Sequence, residues 1–200
     1  NRIKQTTLAN GTIMGVGVTG AYVCINDATE SLSARGGAAG DFVSNALVTE
    51  PGLKLTTSYI NCGFTTTCSR GQITFYFSQA VTNPIISFAG WGGGTGSTTA
   101  WTELELATAN TTMTVLSGTN IQTTNNGTYL APIVKDPSIN CHTNTGYGAT
   151  AQAGCGSVSI NGTFTQVTFN VFMGTENGTG WLDAWNLNVN IQEDFGLAPG

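Results

Sequence analysis

Charged side chains are scarce in this chain. It has 6 Lys or Arg and 11 Asp or Glu among 200 residues, and its one histidine is His142. General acid–base and nucleophilic catalysis mostly use His, Asp, Glu, Lys and Cys held close together. Thr, Gly and Asn instead make up about two-fifths of the sequence. A surface of hydroxyls, amides and backbone suits contact better than bond-breaking, so we expect a binding protein and not an enzyme.

Basic residues are also too few and too dispersed for two classes of partner. They form no cluster along the chain, where they stand at Arg2, Lys4, Arg35, Lys54, Arg70 and Lys135. Nucleic acid and anionic membranes both need clustered Lys and Arg, and the formal charge here is −5. No apolar run approaches the roughly 18 residues of a membrane span, so neither nucleic-acid binding nor membrane insertion is expected. No signal peptide opens the sequence, and we expect a piece of a longer exported protein.

Five cysteines indicate disulfides. Cys62 and Cys68 bracket one short polar loop, and Cys141 and Cys155 bracket another. Pairing within each loop would stabilise the fold by about 2–3 kcal/mol per bridge. A zinc site is the alternative, but the spacing is not Cys-x-x-Cys and only one His is present. Two local disulfides are therefore predicted, together with an oxidising, extracellular location. Cys24 stands in a strand-like run and is predicted to be a buried free thiol.

Alternating apolar and polar residues dominate the sequence. Near the C-terminus, four apolar residues from Trp185 to Ile191 alternate with three asparagines, which is typical of a half-buried strand. Asn-Gly and similar turn pairs separate the runs. The pattern predicts an all-β fold, an antiparallel β-sandwich of jelly-roll or lectin-like kind. We expect a single domain over residues 1–192, with residues 193–200 starting a linker. One short helical turn within Asp27–Arg35 is equally compatible with the sequence.

Several ordered segments resemble one family of bacterial surface proteins. The first runs from Gly71 through "F-S-Q-A-V-T-N-P" and on to Trp91-Gly92-Gly93; the others are Val115–Asn120, Gly156–Thr163 and the C-terminal "E-D-F-G-L-A-P". The last is similar to a "D-F-G-D-A-P" linker pattern, with Leu197 where Asp is usual. The family is the non-repetitive, lectin-like adhesive domain of CshA-like fibrillar surface adhesins.

That resemblance covers roughly Gly71 to Pro199. It implies a lectin-like sandwich that works at the bacterial cell surface, beside neighbouring modules of a larger protein. The implied partner is a host or environmental glycan or an extracellular matrix glycoprotein. The family pattern supplies no catalytic residue to carry over, and it does not include the two cysteine pairs.

A strand with one tryptophan and two carboxylates is the first candidate site. Alternation puts Trp101, Glu103 and Glu105 on one face, while Leu104 and Leu106 take the core side. An exposed tryptophan beside hydrogen-bond acceptors suits a sugar ring or a cationic anchor. Trp91 opens the Gly-rich loop before this strand and is predicted as a second stacking anchor. The alternative is that Trp101 covers the end of the sandwich and the glutamates only solubilise an edge.

The loop between Cys141 and Cys155 is a second candidate contact surface. It holds His142, Asn144 and Tyr147, and a loop closed by a disulfide binds with a smaller ordering cost. The competing interpretation of His142 is an ordinary loop residue.

Calcium is a further candidate ligand. Glu176, Asn177 and Asp183 could supply oxygen ligands from one segment. Their spacing matches no known calcium loop, so no cofactor is assigned.

Two other function classes stay open. A structural spacer module of a surface fibril needs no binding site. A jelly-roll glycoside hydrolase would use Glu103 and Glu105, but retaining hydrolysis needs carboxylates about 5–5.5 Å apart. Neighbours on one strand face are spaced at about 6.5–7 Å. The sequence favours adhesion over both.

Surface proteins can also carry internal covalent cross-links. Lys54 could form an isopeptide bond with an asparagine, and Cys24 a thioester with a glutamine, but neither lies in a recognisable motif.

Overall fold

The fold is built almost entirely of β-strands. The computed structural model describes residues 4–62, 67–95, 98–133, 154–175 and 182–195. Within these ranges the strands are β1 (Lys4–Thr7), β2 (Ile13–Thr19), β3 (Val23–Ser31), β4 (Pro51–Ser58), β5 (Cys68–Thr82), β6 (Ile85–Trp91), β7 (Gly93–Thr95), β8 (Thr98–Leu106), β9 (Thr112–Thr119), β10 (Gln122–Thr124), β11 (Tyr129–Ala131), β12 (Gly154–Asn161), β13 (Thr163–Thr175) and β14 (Leu182–Asn190). Short 3-10 turns occupy Leu32–Arg35, Asn45–Val48, Asn125–Gly127 and Gln192–Phe195.

The strands form two sheets. The eight-stranded sheet has the order β1-β2-β5-β13-β8-β11-β10, with β7 also paired to β8. The six-stranded sheet has the order β3-β4-β14-β6-β12-β9. Every pairing between strands is antiparallel. The predicted all-β antiparallel sandwich is confirmed. None of the helical turns in the described part of the chain has the length or apolar character to cross a bilayer.

The main core lies between the two sheets, where strand alternation sends the apolar side chains. Val167, Phe169 and Val171 of β13 are fully buried, and Trp185 and Leu187 of β14 meet them from the other sheet. Each such side chain contributes about 1.5–3 kcal/mol on burial. The prediction that the apolar residues from Trp185 to Ile191 point into the core is therefore confirmed.

A third layer covers the outer face of the six-stranded sheet. The segment between β3 and β4 places Leu32, Phe42 and Leu47 over Ala89 of β6 and Cys155 of β12. The helical turn that was possible within residues 27–35 forms at its C-terminal part, at residues 32–35.

The last described residues also pack against this body. The Phe195 ring contacts the third layer. The Asp194 carboxylate accepts hydrogen bonds from the backbone N–H groups of Ala9 (2.6 Å) and Ile191 (2.7 Å). Asp194 thereby connects the C-terminal end of the described chain to the segment between β1 and β2.

One predicted disulfide is confirmed. Cys62 and Cys68 are bonded, with their Cα atoms 5.9 Å apart. Arg70 supports the same loop, because its Nη1 donates to the Ile60 carbonyl (2.9 Å) and its guanidinium lies 4.7 Å from the centre of the Tyr22 ring.

Cys155 is also disulfide-bonded. Its predicted partner, Cys141, lies outside the described residues, so that pairing stays a prediction.

The prediction of a buried Cys24 is wrong. Its thiol is free and exposed. Val23 and Ile25, on either side of it, point into the core. In a strand the residue between two inward side chains faces the other way.

Candidate functional site

Trp91, predicted as an exposed stacking anchor, is instead a core residue. It is 2% exposed, with the Phe88 ring edge-on at 4.6 Å and the Trp185 ring at 6.5 Å. The prediction failed because Gly90 has a φ of +77° and the register with β12 shifts here. That bulge turns Trp91 to the same side as Phe88.

Trp101 is also buried, although it does not belong to the main core. It is 2% exposed and lies opposite Gly174 of β13. A Cβ atom on Gly174 would lie 3.0 Å from the indole nitrogen and closer still to the ring carbons. The indole therefore rests on the bare backbone of β13, and the predicted exposed platform is wrong. The leucines on the other face, Leu104 and Leu106, are buried as expected.

Glu103 was expected to face water and is buried instead. Its Oε1 accepts a hydrogen bond from the Trp101 indole N–H (2.9 Å), and its Oε2 accepts one from the Tyr129 hydroxyl. Burial, and then the hydrogen bond to Glu103, raise the pKa of Tyr129 well above its usual range. Glu103 thus positions two aromatic side chains, and these two bonds compensate for its removal from water.

Glu105, by contrast, is half-buried on the outer face of the eight-stranded sheet. Its Oε2 accepts a hydrogen bond from Nδ2 of Asn170 (3.1 Å). Oδ1 of Asn170 in turn accepts one from Nε2 of Gln72 (3.0 Å). These three residues form a polar row across β5, β13 and β8. The row holds two carboxamides and a carboxylate in fixed orientations at the surface.

Tyr76 stands on the same face, farther along β5. Its side chain is 45% exposed, and its partner on β2 is Gly15. It lies four positions beyond Gln72, or about 13 Å along the strand. Between them, the hydroxyls of Thr74 and Thr168 lie 3.1 Å apart. We define this candidate surface, called the binding face below, as Tyr76, Thr74, Thr168 and the polar row.

No basic side chain of the described residues forms an ion pair with Glu105 of the binding face. Arg35 and Lys54 form ion pairs with Glu30 on the six-stranded sheet, at 3.1 Å and 2.6 Å. Arg70 supports the loop after β4. Lys4 lines a cavity of about 500 Å³ between the edge of β1 and the ends of β4 and β14. This leaves the Glu105 carboxylate as a negative charge on the face with no cation among the described residues beside it.

Asp183, the described member of the calcium candidates, links the two sheets. Its Oδ2 accepts a hydrogen bond from the Thr102 hydroxyl (2.6 Å), and the Gly92 backbone N–H lies 3.2 Å from Oδ1 and 3.1 Å from Oδ2. Burial raises the pKa of Asp183 to about 6, although these hydrogen bonds act in the opposite direction. No group of three or more potential metal-ligating side chains occurs within the described ranges.

Glu176 and Asn177 lie outside the described residues, as do His142, Asn144 and Tyr147 of the second candidate surface.

Sequence reasoning missed Tyr76, Gln72 and Asn170. A signal was present for Tyr76, because Phe75 and Phe77 beside it share the inward face and leave it on the outer one. The polar row carries no such signal, since its three members come from strands far apart in sequence.

No protein-family model, curated protein or solved structure matches the chain.

Proposed function

We propose that this chain is a non-catalytic adhesive domain that binds a carbohydrate on the outer face of its eight-stranded sheet. One observation carries the proposal: the exposed Tyr76 ring shares a surface with the polar row. The ligand is a glycan, either free or carried by an extracellular glycoprotein.

An exposed tyrosine offers an apolar ring face together with a polar hydroxyl. Gly15 stands opposite it and has no side chain to cover the ring. Sugar rings present apolar C–H faces edged by hydroxyls, so a ring of this kind suits them. The distance of about 13 Å to Gln72 leaves room for a short oligosaccharide along the face.

The polar row supplies the hydrogen bonds that sugar hydroxyls require. Its carboxamides are already held by one another and by Glu105, so little side-chain entropy is lost when a ligand binds. Glu105 Oε1 accepts no hydrogen bond among the described residues and is available to a hydroxyl donor.

The charge of the face favours a neutral glycan. A sulfated or sialylated sugar would bring a negative charge to Glu105 with no basic side chain of the described chain beside it, and like charges repel. We therefore expect neutral saccharides to be preferred.

The adhesive role follows the resemblance of residues 71–199 to CshA-like surface adhesins. Such a role places the domain at a bacterial surface within a longer exported protein. The Cys62–Cys68 disulfide is compatible with an oxidising compartment.

The test is a glycan and matrix-protein array, with and without calcium, followed by titration of any hit. Tyr76→Ala and Glu105→Gln are each expected to weaken binding by at least tenfold, or about 1.4 kcal/mol, with the melting temperature nearly unchanged. Leu116→Ala is the matched control, because Leu116 is equally exposed, at 45%, but lies on β9 of the other sheet. Binding that survives Tyr76→Ala, or that falls equally in Leu116→Ala, would refute the site.

A further inference from the structure

An amine and a carboxamide face each other on the outer side of the six-stranded sheet. Lys54 of β4 and Asn186 of β14 are direct partners in the antiparallel register. Both point away from the core, because Leu55 and Trp185 beside them point into it. Directly opposed residues have Cβ atoms about 4.5–5.5 Å apart, so a lysine side chain can reach its partner's carboxamide carbon.

A carboxylate joins this pair. Nζ of Lys54 donates to Oε1 of Glu30 at 2.6 Å. The side chain of Asn186 lies near enough to help lower the pKa of Glu30. Arg35 holds the other carboxylate oxygen through its Nε at 3.1 Å. Glu30 is thereby within proton-transfer reach of the amine and lies near the carboxamide.

The carboxamide of Asn186 is sealed from water. The residue is 0% exposed, and its Nδ2 donates to the Ser31 carbonyl at 2.8 Å. Its Oδ1 is buried without a hydrogen-bond partner in the described structure. Buried polar atoms in native structures are nearly always satisfied, so an unpaired one calls for an explanation.

We propose that Lys54 and Asn186 form an intramolecular isopeptide bond, with Glu30 as the proton carrier. The Lys54 ammonium gives a proton to Glu30, and the freed Nζ attacks Cγ of Asn186. The Nζ–Cγ bond forms as Nζ loses a second proton and Nδ2 gains one. The Cγ–Nδ2 bond then breaks, and the leaving ammonia takes up the proton that Glu30 held. The protein loses one ammonia, and no oxidant or cofactor is needed.

The charged groups around Glu30 determine the rate of this reaction. Burial raises the pKa of Glu30, but Lys54 and Arg35 more than offset this and leave it below its usual range. The resting state is therefore the ion pair, and the neutral pair that reacts is a minor form. A slow maturation after folding is expected, and its product would join β4 to the central strand β14 through a covalent bond.

Intact-mass measurement tests the proposal. The purified protein, with its disulfides reduced, is weighed after prolonged incubation at neutral to mildly alkaline pH. It is expected to be lighter than its sequence mass by one ammonia, and its digest should contain a branched peptide that joins residues 54 and 186. Lys54→Arg keeps a cation beside Glu30 but is expected to abolish the loss, as are Asn186→Ala and Glu30→Gln. Lys4→Arg is the control and should retain the loss.

Circular dichroism on each variant separates loss of the bond from loss of the fold, and Lys54→Arg decides if Asn186→Ala does not fold. If the folded wild-type protein has the full mass calculated from its sequence, with no ammonia lost, the proposal is overturned. So would an ammonia loss that persists in Lys54→Arg, because Asn-Gly pairs can also lose ammonia by forming succinimides. If Glu30→Gln still loses ammonia while Lys54→Arg and Asn186→Ala do not, the bond forms but Glu30 is not its proton carrier.

Discussion

The outer faces of the two sheets have similar strand patterns and opposite environments. On the eight-stranded sheet, the outward residues Gln72 and Tyr76 remain exposed. On the six-stranded sheet, the segment between β3 and β4 lies over the outward residues and buries Ser87 and Ser157, whose hydroxyls lie 2.7 Å apart. An alternating strand therefore indicates which residues point outward, but not whether another part of the chain covers them. We propose the ligand site on the face that no other described segment covers.

The largest expected effect on stability comes from a substitution in the third layer. Leu32 is fully buried in the third layer, and replacing a buried leucine by alanine costs about 2–5 kcal/mol. Leu32→Ala should therefore lower the free energy of unfolding by that amount in a denaturant titration. Ser33→Ala, an exposed neighbour in the same turn, is the control and should change it by less than about 0.5 kcal/mol. If the two variants are equally stable, the third layer contributes nothing to the fold.

A smaller effect on stability concerns Asp183, whose hydrogen bond with Thr102 connects the two sheets. The pKa of Asp183 is raised to about 6 by burial, so the folded state holds this proton more tightly than the unfolded state. Its contribution to stability is thus complete at low pH and is lost as the pH rises through about 6. As the pH falls from about 7.5 to about 5, the free energy of unfolding should rise by roughly 1–1.5 kcal/mol, and the melting temperature should rise with it.

Two comparisons make this pH effect specific. Asp183→Asn should flatten the dependence across that range. The pKa of Glu30 is lowered, so its contribution is lost only as the pH falls below its unfolded pKa, outside the range used. A wild-type melting temperature that falls toward about pH 5 would show that Asp183 is not held as described.

The next effect sharpens the description of the binding face. Asn170→Ala removes the middle of the polar row and both of its hydrogen bonds. Affinity for a glycan hit should fall several-fold, less than for Tyr76→Ala, since Gln72 and Glu105 remain. Isothermal titration of the two variants measures the difference. An Asn170→Ala affinity equal to that of the wild type would remove the polar row from the site.

The smallest expected effect concerns Cys24, whose outward orientation on β3 can be tested by alkylation. The Cys24 thiol is free and exposed, and it should be alkylated in the native protein without any change in melting temperature. Peptide mapping after reaction with iodoacetamide measures this. Alkylation that requires denaturant would contradict the orientation of β3.

Local pattern accounts for the fold and for most of the core. Alternation predicted the strands and the inward faces of β13 and β14, because in a sheet the side-chain period depends only on neighbours in sequence. The same rule, applied to Val23 and Ile25, could have placed Cys24 outward. The candidate site depended on long-range contacts instead. The bulge at Gly90 and the bare backbone of Gly174 bury the two tryptophans, and neither follows from the local sequence.

Register explains the rest of what the sequence could not predict. Glu105 meets Asn170, and Lys54 meets Asn186, only because their strands pair with a particular alignment. A shift of one residue would turn each side chain to the other face. Composition predicts a surface rich in amides and hydroxyls, and the binding face carries both, in the carboxamides of the polar row and the hydroxyls of Thr74 and Thr168.

The location of the ligand is the most direct test of the account. Solution NMR of the labelled protein, titrated with a neutral oligosaccharide from the array, would map the contact residue by residue. Backbone amides at Gln72, Tyr76 and Asn170 are expected to shift, while those of residues 32–48 stay in place. Shifts confined to the covered face, or to the cavity at the edge of β1, would contradict binding on the eight-stranded sheet.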